Sequence, residues 1–366
     1  MAGREGFDPE RSGLALIERL RIRRFRNLAD IEFAPGSGVS WLVGANASGK
    51  TALLEAIYCL SRGRSFRGKR HGPLVMRGAT GARVEGLVER AGLRRTIEWS
   101  IGVRGGAERE PPVSEFQLPV RLICEATHAL VEGEPSLRRR FLDWNLGLSE
   151  QDAVQVFSRF RRAAAQRNAW LRAGGRGRAM WDRAYADTLA ELLERRLGML
   201  ARLDEGLQRL ARGTGWFEDL SVEWEGPDAD ALAILTKLEA MRDADRERGF
   251  TYLGASRCDF ALRSDGSRWA GSRGQGKVAG ILLQLAADQA VSEATGAGSV
   301  WLVDDIEAEL GADWVVRLLE MLRQHGRQML VTSLPGKAAL RDGRCAEDQM
   351  FHVEQGRLKA PINAAV

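Results

Sequence analysis

Apolar and polar positions along this chain change period several times, and each change predicts an element. From Leu16 to Phe25, Leu20 and Ile22 alternate with Arg19, Arg21 and Arg23. A period of two predicts a strand with one apolar and one basic face. Ile31 and Phe33 predict a second strand. Pro35-Gly36-Ser37-Gly38 predicts a turn, and Val39 to Val43 a short buried strand. Leu53, Leu54, Ile57 and Tyr58 then recur at helical spacing until Gly63. Over 74–103 antiparallel strands are expected, because Ile97, Trp99, Ile101 and Val103 alternate cleanly. Gly105-Gly106 and Pro111-Pro112 mark loops.

From Pro135 the pattern becomes helical. Ser136 to Asn145 predicts one helix, and Ser149 is the expected N-cap of a second that carries Val154, Phe157 and Phe160. Gly174-Gly175 breaks the run. A third helix follows, with Tyr185, Leu189, Leu193, Leu197, Leu200, Leu203, Leu207 and Leu210 three or four apart. This predicts two antiparallel helices joined at the glycines, with the leucine stripe as packing. Val222 and Trp224 predict a strand, and Ile234 to Arg248 a helix. Near the end, Val278, Ile281, Leu282 and Leu285 form a helical stripe, while Val300 to Val303 and Gln328 to Thr332 read as core strands. The expected organisation is an α/β head in two parts, 1–134 and 251–366, around a helical lobe at 135–250.

Composition adds little. Hydrophobic residues are 44% and charged residues 28% of 366, an ordinary globular balance. No apolar run approaches the roughly 18 residues of a membrane span. The first residues (Arg4, Glu5, Asp8, Glu10, Arg11) lack the apolar stretch of a signal peptide. Cys59, Cys124, Cys258 and Cys345 have no paired spacing. Together these predict a cytoplasmic protein. The net charge of +5 is compatible with a polyanionic partner.

The chemistry concentrates in three places. Gly44-Ala45-Asn46-Ala47-Ser48-Gly49-Lys50-Thr51 fits G-x-x-x-x-G-K-[ST] between a strand and a helix. Such a loop wraps a polyphosphate with backbone N–H groups and adds the positive end of the helix. Lys50 reaches the outer phosphates, and the Thr51 hydroxyl holds Mg²⁺. Val300 to Val303 followed by Asp304-Asp305 is a Walker B pattern, with Asp304 orienting Mg²⁺ and Asp305 facing the attacking water. Thr332 or Ser333 can sense the γ-phosphate. Between the two motifs, Ser272-Arg273-Gly274-Gln275 resembles an ABC-type signature, which caps the γ-phosphate held by a second subunit. That geometry implies a two-fold dimer with ATP between the subunits.

Basic stretches suggest a second partner. Arg62-Gly63-Arg64-Ser65-Phe66-Arg67 is one. The other runs from Arg138 to Arg178, where ten arginines, Arg138, Arg139, Arg140, Arg161 and Arg162 among them, face three acids, Asp143, Glu150 and Asp152. This density favours an anionic partner, and Arg64, Arg67, Arg138, Arg139, Arg140, Arg161 and Arg162 are the candidate DNA contacts.

These motifs together resemble the RecF family of bacterial recombination-repair ATPases, related to SMC and Rad50 heads. The resemblance spans roughly 16–358. It is most specific at Gly63-Arg64-Ser65-Phe66-Arg67 and Arg138-Arg139-Arg140-Phe141-Leu142-Asp143-Trp144. It also takes in Leu20 to Leu28, Gln166-Arg167-Asn168, Asp304-Asp305 with Glu309-Leu310, and Phe351 to Gly356. It implies a P-loop ABC-type head with a mixed sheet and a mainly helical second lobe. It implies ATP and Mg²⁺ as cofactors, slow DNA-dependent hydrolysis, and an ATP-dependent homodimer at single-strand/double-strand gaps. Its implied partners are RecO and RecR, and indirectly RecA. Four positions depart from the family pattern. Ala47 replaces a loop glycine, which costs stability if its φ is positive. Gly311 replaces an aspartate, Glu125-Ala126 a Pro-Glu pair, and Ala255-Ser256-Arg257-Cys258-Asp259 a Pro-His-Arg-Asp-Asp stretch. Two alternatives remain: an ATP-gated DNA clamp with little hydrolysis, and a transporter's ATPase subunit.

Overall fold

The computed structural model describes residues 15–68, 72–102, 117–175, 180–214, 217, 219–305, 307, 310–324, 328–337 and 342–359. Gly105-Gly106, Pro111-Pro112, Arg176, Arg178 and Glu309 lie outside them. The chain forms two compact units, Met1–Thr127 with Thr295–Val366, and His128–Ala294.

The first unit holds two sheets. One is antiparallel, in the order β2 (Ile31–Phe33), β1 (Ala15–Arg23), β4 (Gly81–Arg90), β5 (Leu93–Gly102). Its apolar face buries Leu20, Ile22, Val84 and Val88. Its outer face is laced by ion pairs: Arg21 reaches Glu32 at 2.8 Å and Arg83 reaches Glu98 at 2.7 Å. In the basic stripe foreseen on the first strand, Arg19 and Arg21 thus share one acid, Glu32 of the neighbouring strand.

The other sheet has the order β13 (Arg357–Lys359), β12 (Gln349–Glu354), β3 (Val39–Val43), β11 (Met329–Ser333), β10 (Val300–Val303), β6 (Val120–Ile123). All neighbours from β12 to β6 are parallel, and β13 closes a hairpin on β12. β3 is buried at every residue, as a strand covered on both faces must be. Its sequence is accordingly apolar at four of five positions, and the exception, Ser40, is buried with its hydroxyl accepting from Gly36 N. From β3 the chain enters α1 (Lys50–Arg62), which ends at Gly63 with φ 71° and its N–H on Cys59 O. The helix packs Leu53, Leu54, Ile57 and Leu60 into one core with both sheets. β6, β12 and β13 give weak sequence signals; they are short, and their strand character comes from pairing. α9 (Ala312–Gln324) also belongs to this unit.

The second unit is mainly helical. It contains α2 (Ala129–Glu132), α3 (Pro135–Ser149), α4 (Ala153–Arg172), α5 (Met180–Thr214), α6 (Ala231–Ala240), α7 (Arg242–Arg248) and α8 (Arg273–Thr295). A small sheet, in the order β7 (Ser221–Glu225), β8 (Asp259–Ser264), β9 (Ser267–Arg268), completes it. α4 and α5 form the expected antiparallel pair, and Tyr185, Leu189 and Leu193 are fully buried in its core. Two local expectations fail. Ser149 is the last residue of α3, its hydroxyl donating to Asn145 O, and Asp152 caps α4. The single helix foreseen over 234–248 breaks at Met241, because Arg242 and Asp245 turn into a buried ion cluster. The unit also runs past 250. β8 pairs with β7, and α8 lies against α5 closely enough that a Cβ on Gly206 would sit 3.3 Å from Ala286. This places the Ser272–Gln275 motif in the second unit.

Candidate functional site

The carboxyl ends of β3, β10 and β11 open into one cleft of about 640 Å³ in the first unit. This is where an open parallel sheet binds ligands. Residues 46–52 form one wall, Asp304, Asp305, Thr332 and Ser333 a second, and Arg26, Asn27, Arg67, Pro73, Val75 and Arg77 the rest.

The phosphate loop owes its shape to close backbone approaches. A Cβ on Gly44 would lie 2.2 Å from Val353 O, and Gly49 sits at φ 117° as N-cap of α1. That cap has no side-chain hydrogen bond, and the first turn of α1 carries no acid. The first N–H groups of a helix have no intrahelical partner, so here they are left for an anion. Ser48 Oγ is buried and has no hydrogen-bond partner among the described residues. Lys50 Nζ donates to Gly44 O and Ala45 O, each at 2.8 Å, and is held across the loop. Burial moves its pKa below the usual lysine range, opposed by Asp304 and Asp305. The donor set fits a polyphosphate.

The carboxylates meet the loop through hydroxyls. Asp304 Oδ1 accepts from Thr51 Oγ1 at 3.0 Å and from Thr332 Oγ1 at 2.9 Å. Asp305 N donates to Thr332 Oγ1 at 2.9 Å. Burial pushes the Asp304 carboxyl above its ordinary pKa. The two threonines pull it down, Asp305 pushes it up again, and Arg67 lowers it. Hydroxyl and carboxylate oxygens are the hard donors that suit Mg²⁺, so Thr51 and Asp304 fit that ion. Asp305 lies exposed on the cleft wall with φ 48°, a left-handed conformation unusual for a non-glycine residue.

Two supports of the loop escaped the sequence reading. At the tip of the β12–β13 hairpin, Gln355 and Gly356 both have positive φ, 48° and 72°. This is the signature of a tight hairpin turn. Gly356 N donates to Ser48 O at 2.8 Å, and Gly356 O accepts from Ala29 N at 3.0 Å. A Cβ on Gly356 would lie 1.9 Å from Asn27 O, so only glycine fits under the loop. Asn27 Nδ2 in turn donates to Ala47 O at 3.1 Å. The second support is Glu55, fully buried on α1. It takes a bidentate pair from Arg26 at 2.6 Å and a hydrogen bond from Ser65. Through Ser65 the Arg64–Arg67 stretch is tied to α1, with Arg67 exposed on the cleft.

The Ser272–Gln275 motif lies at the N-terminus of α8. Ser272 N donates to Gln275 Oε1 at 2.8 Å, and Gln275 N donates to Ser272 Oγ at 3.3 Å. This reciprocal pair is a capping box. Ser272, Arg273 and Gln275 are exposed and Gly274 is half-buried, so the motif is presented on the surface of its unit.

A family model described as the RecF/RecN/SMC N terminal domain matches residues 16–357. A DNA replication and repair protein RecF of Pseudomonas fluorescens is 33% identical over 359 residues, covering 93% of this chain and 97% of that one. The RecF of Chromohalobacter salexigens is also 33% identical, over 93% of this chain and 99% of its own. The chain belongs to the RecF family. Its fold agrees: a solved structure of the recombination mediator protein RecF-ATP in the RecFOR pathway superposes with a TM-score of 0.82. It covers 95% of this chain and 99% of that one, at 22% identity. The ABC/SMC-type ATPase head with a helical second lobe is thus the fold of the chain.

Ala47 holds its place in the loop at a backbone cost. Its φ is 61°, and a methyl group in the left-handed region costs about 1–2 kcal/mol. Gly311 lies just ahead of α9, with both Trp314 N and Val315 N on its carbonyl. In the 255–259 stretch Ala255, Cys258 and Asp259 are buried, and Ser256 and Arg257 are exposed. Asp259 pairs with Arg138 at 2.7 Å, and Cys258 is fully buried.

The arginines expected to contact DNA separate into two groups. Arg138 is not available to a polyanion: it is 3% exposed and bound bidentately to Asp259, with Gly133 O accepting as well. Arg139 is half-buried on Cys258 O. Arg140, Arg161 and Arg162 are exposed on α3 and α4. Two more arginines of this stretch are paired with acids of α5 and α7, beyond the window in which ten faced three. Arg159 meets Glu191, and Arg167 meets Asp182 and Asp245.

No helix among the described residues is long and apolar enough to cross a membrane.

Proposed function

We propose that the chain is an ATP-dependent DNA-binding recombination-repair protein, which dimerises around ATP at single-strand/double-strand gaps and hydrolyses it slowly. The observation that carries this reading is the uncapped start of α1 facing the Thr51–Asp304–Thr332 hydroxyl–carboxylate relay in one cleft. Backbone N–H groups of 46–51 and the free Ser48 hydroxyl bind the triphosphate, and Lys50 neutralises its outer charge. Thr51 and Asp304 hold Mg²⁺, which when bound neutralises charge on the β- and γ-phosphates. Asp305 positions the attacking water, with its backbone N–H fixed on Thr332. The Ser272–Gln275 motif of a second copy closes over the γ-phosphate; its exposure on α8 supports this, and the motif gives up its capping box in doing so. Arg64, Arg67, Arg140, Arg161 and Arg162 supply phosphate contacts to DNA. RecR and RecO are the expected partners, placing RecA on the single strand, as the RecFOR description of the related structure suggests.

A second reading is favoured by Ala47 and Gly311: a clamp in which ATP holds the dimer and turnover is incidental. The relatives are named as repair proteins, which leaves a transporter subunit without support. Steady-state hydrolysis with and without gapped DNA separates the two readings. The ATPase reading expects DNA to raise turnover, and the clamp reading expects DNA binding that follows ATP occupancy without it. Lys50→Met tests both. It should weaken ATP binding by roughly 10- to 100-fold, the loss of a charge-assisted contact, and abolish ATP-dependent DNA binding. Full DNA binding in that variant would overturn the site assignment.

A further inference from the structure

The second unit displays a surface that none of these roles uses. Between α7 and β8 the chain passes through Phe250, Thr251 and Tyr252. Thr251 is turned inward: its N–H and its hydroxyl both donate to Asn168 Oδ1 at 2.8 Å, and Arg167 Nη1 donates to its hydroxyl at 2.7 Å. Tyr252 N donates to the fully buried Asp245 at 3.0 Å. The alternation sends the neighbours out. Phe250 is 44% exposed and Tyr252 43%.

Two arginines lie over the Tyr252 ring, and a third runs beside Gly249, next to Phe250 in sequence. The Arg257 guanidinium lies 4.3 Å from the Tyr252 ring centre and that of Arg248 5.3 Å. Arg172 runs beside Gly249, its Cγ 3.4 Å from where a Cβ would stand. All three are exposed. Of the nearby acids on α7, Asp245 is buried against Arg167 and also lies 3.7 Å from Arg248, Asp243 pairs with Arg246, and Glu247 is exposed. Arg257 also lines a cleft of about 520 Å³ with Arg139, Arg268 and Ser256. The cleft acids Glu225 and Asp259 are paired with Arg268 and Arg138, and Glu134 lines it too.

A single exposed aromatic needs no explanation. Here the backbone between two exposed aromatic residues is held at Thr251 and Tyr252 N by a network whose central arginine and aspartates are 0–2% exposed. Burying such ions is costly, and a solvated loop does not require it. Two exposed rings, one of them already stacked with guanidinium groups, amid positive charge match one chemistry. Unpaired bases stack on rings and guanidinium groups while the backbone phosphates meet the arginines. A duplex hides its base faces and cannot use the rings.

We propose that Phe250 and Tyr252, with Arg172, Arg248 and Arg257, form a stacking platform for a single-stranded nucleic-acid segment. This rests on the DNA-binding reading above and assigns the unpaired part of a gap to a named surface. The test is a titration of the full chain, without nucleotide, against three labelled probes: an oligothymidylate, an abasic strand of equal length, and a mixed-sequence duplex. Wild type should prefer the oligothymidylate to the abasic strand. Phe250→Ala/Tyr252→Ala should lose roughly tenfold or more on the oligothymidylate and leave the other two probes unchanged. Phe250→Leu/Tyr252→Phe, which preserves packing and one ring, should fall between. Equal wild-type affinity for oligothymidylate and abasic strand overturns the platform. So does unchanged oligothymidylate binding in a double variant that melts like wild type, which would give the patch to a protein partner. ATP-dependent duplex binding is read separately with Lys50→Met, so failure of the ATP reading and failure of the platform are distinguishable.

Discussion

The phosphate cleft and the helical unit both concentrate charged and polar groups, but they treat them in opposite ways. In the phosphate loop, donors are left without an ion-paired partner. The N-terminus of α1 is uncapped, Ser48 Oγ has no partner among the described residues, and Lys50 rests on neutral carbonyls. In the helical unit, charges answer each other. Arg167 sits between Asp182 and Asp245, Arg196 takes Asp143 bidentately at 2.8 Å, and Arg195 reaches Glu150 and Asp152. A site for a ligand is where pairing has been withheld, and a dense run of one residue type does not locate it.

The contrast can be broken at either end. The largest effect is expected at the Arg167 cluster. Arg167→Ala removes the central cation between two buried carboxylates, leaving Asp182 to Arg242 and Asp245 to the more distant Arg248, and should destabilise the protein by about 3–5 kcal/mol. Chemical denaturation reads this directly, and a loss under about 1 kcal/mol would show that the cluster is not a structural charge knot. Asp305→Asn should slow ATP turnover by roughly 100-fold or more, the scale of a lost catalytic water contact, while nucleotide affinity stays near wild type. Unchanged turnover would remove Asp305 from that role. Smaller still, Arg161→Ser/Arg162→Ser should leave stability intact and reduce the salt slope of DNA binding by about one to two units. An unaltered slope would place these side chains in solvent only. The smallest change sharpens the cleft side. Ala47→Gly relieves left-handed strain of about 1–2 kcal/mol but adds about 0.5–1 kcal/mol of unfolded freedom. A net gain of about 0–1.5 kcal/mol in thermal unfolding is expected, and a loss would mean that the methyl group packs favourably.

The legibility of the two regions differs for the same reason. The strand–loop–helix around Gly44–Thr51 was readable because eight contiguous residues carry the chemistry and the backbone does the binding. The Walker B acids were readable because a buried strand ending in carboxylates is rare. Their meeting was not: Thr51 and Asp304 are 253 positions apart. Gly356 was visible only as part of a resemblance, since nothing local shows that its N–H lands on Ser48. Arg138 was misread as a phosphate contact because its partner, Asp259, is 121 residues away. The 234–248 helix was overextended because helical propensity does not see the buried cluster that turns Arg242 and Asp245 inward.

By itself the sequence determined the strand and helix periods, the phosphate loop and the carboxylates beside it, because each depends on spacing within one element. The tertiary structure decided which charges are spent on each other and which are left to a ligand. It also decided which glycine props the loop. Pairing and close approach are settled between elements far apart in the chain, where local pattern carries no information.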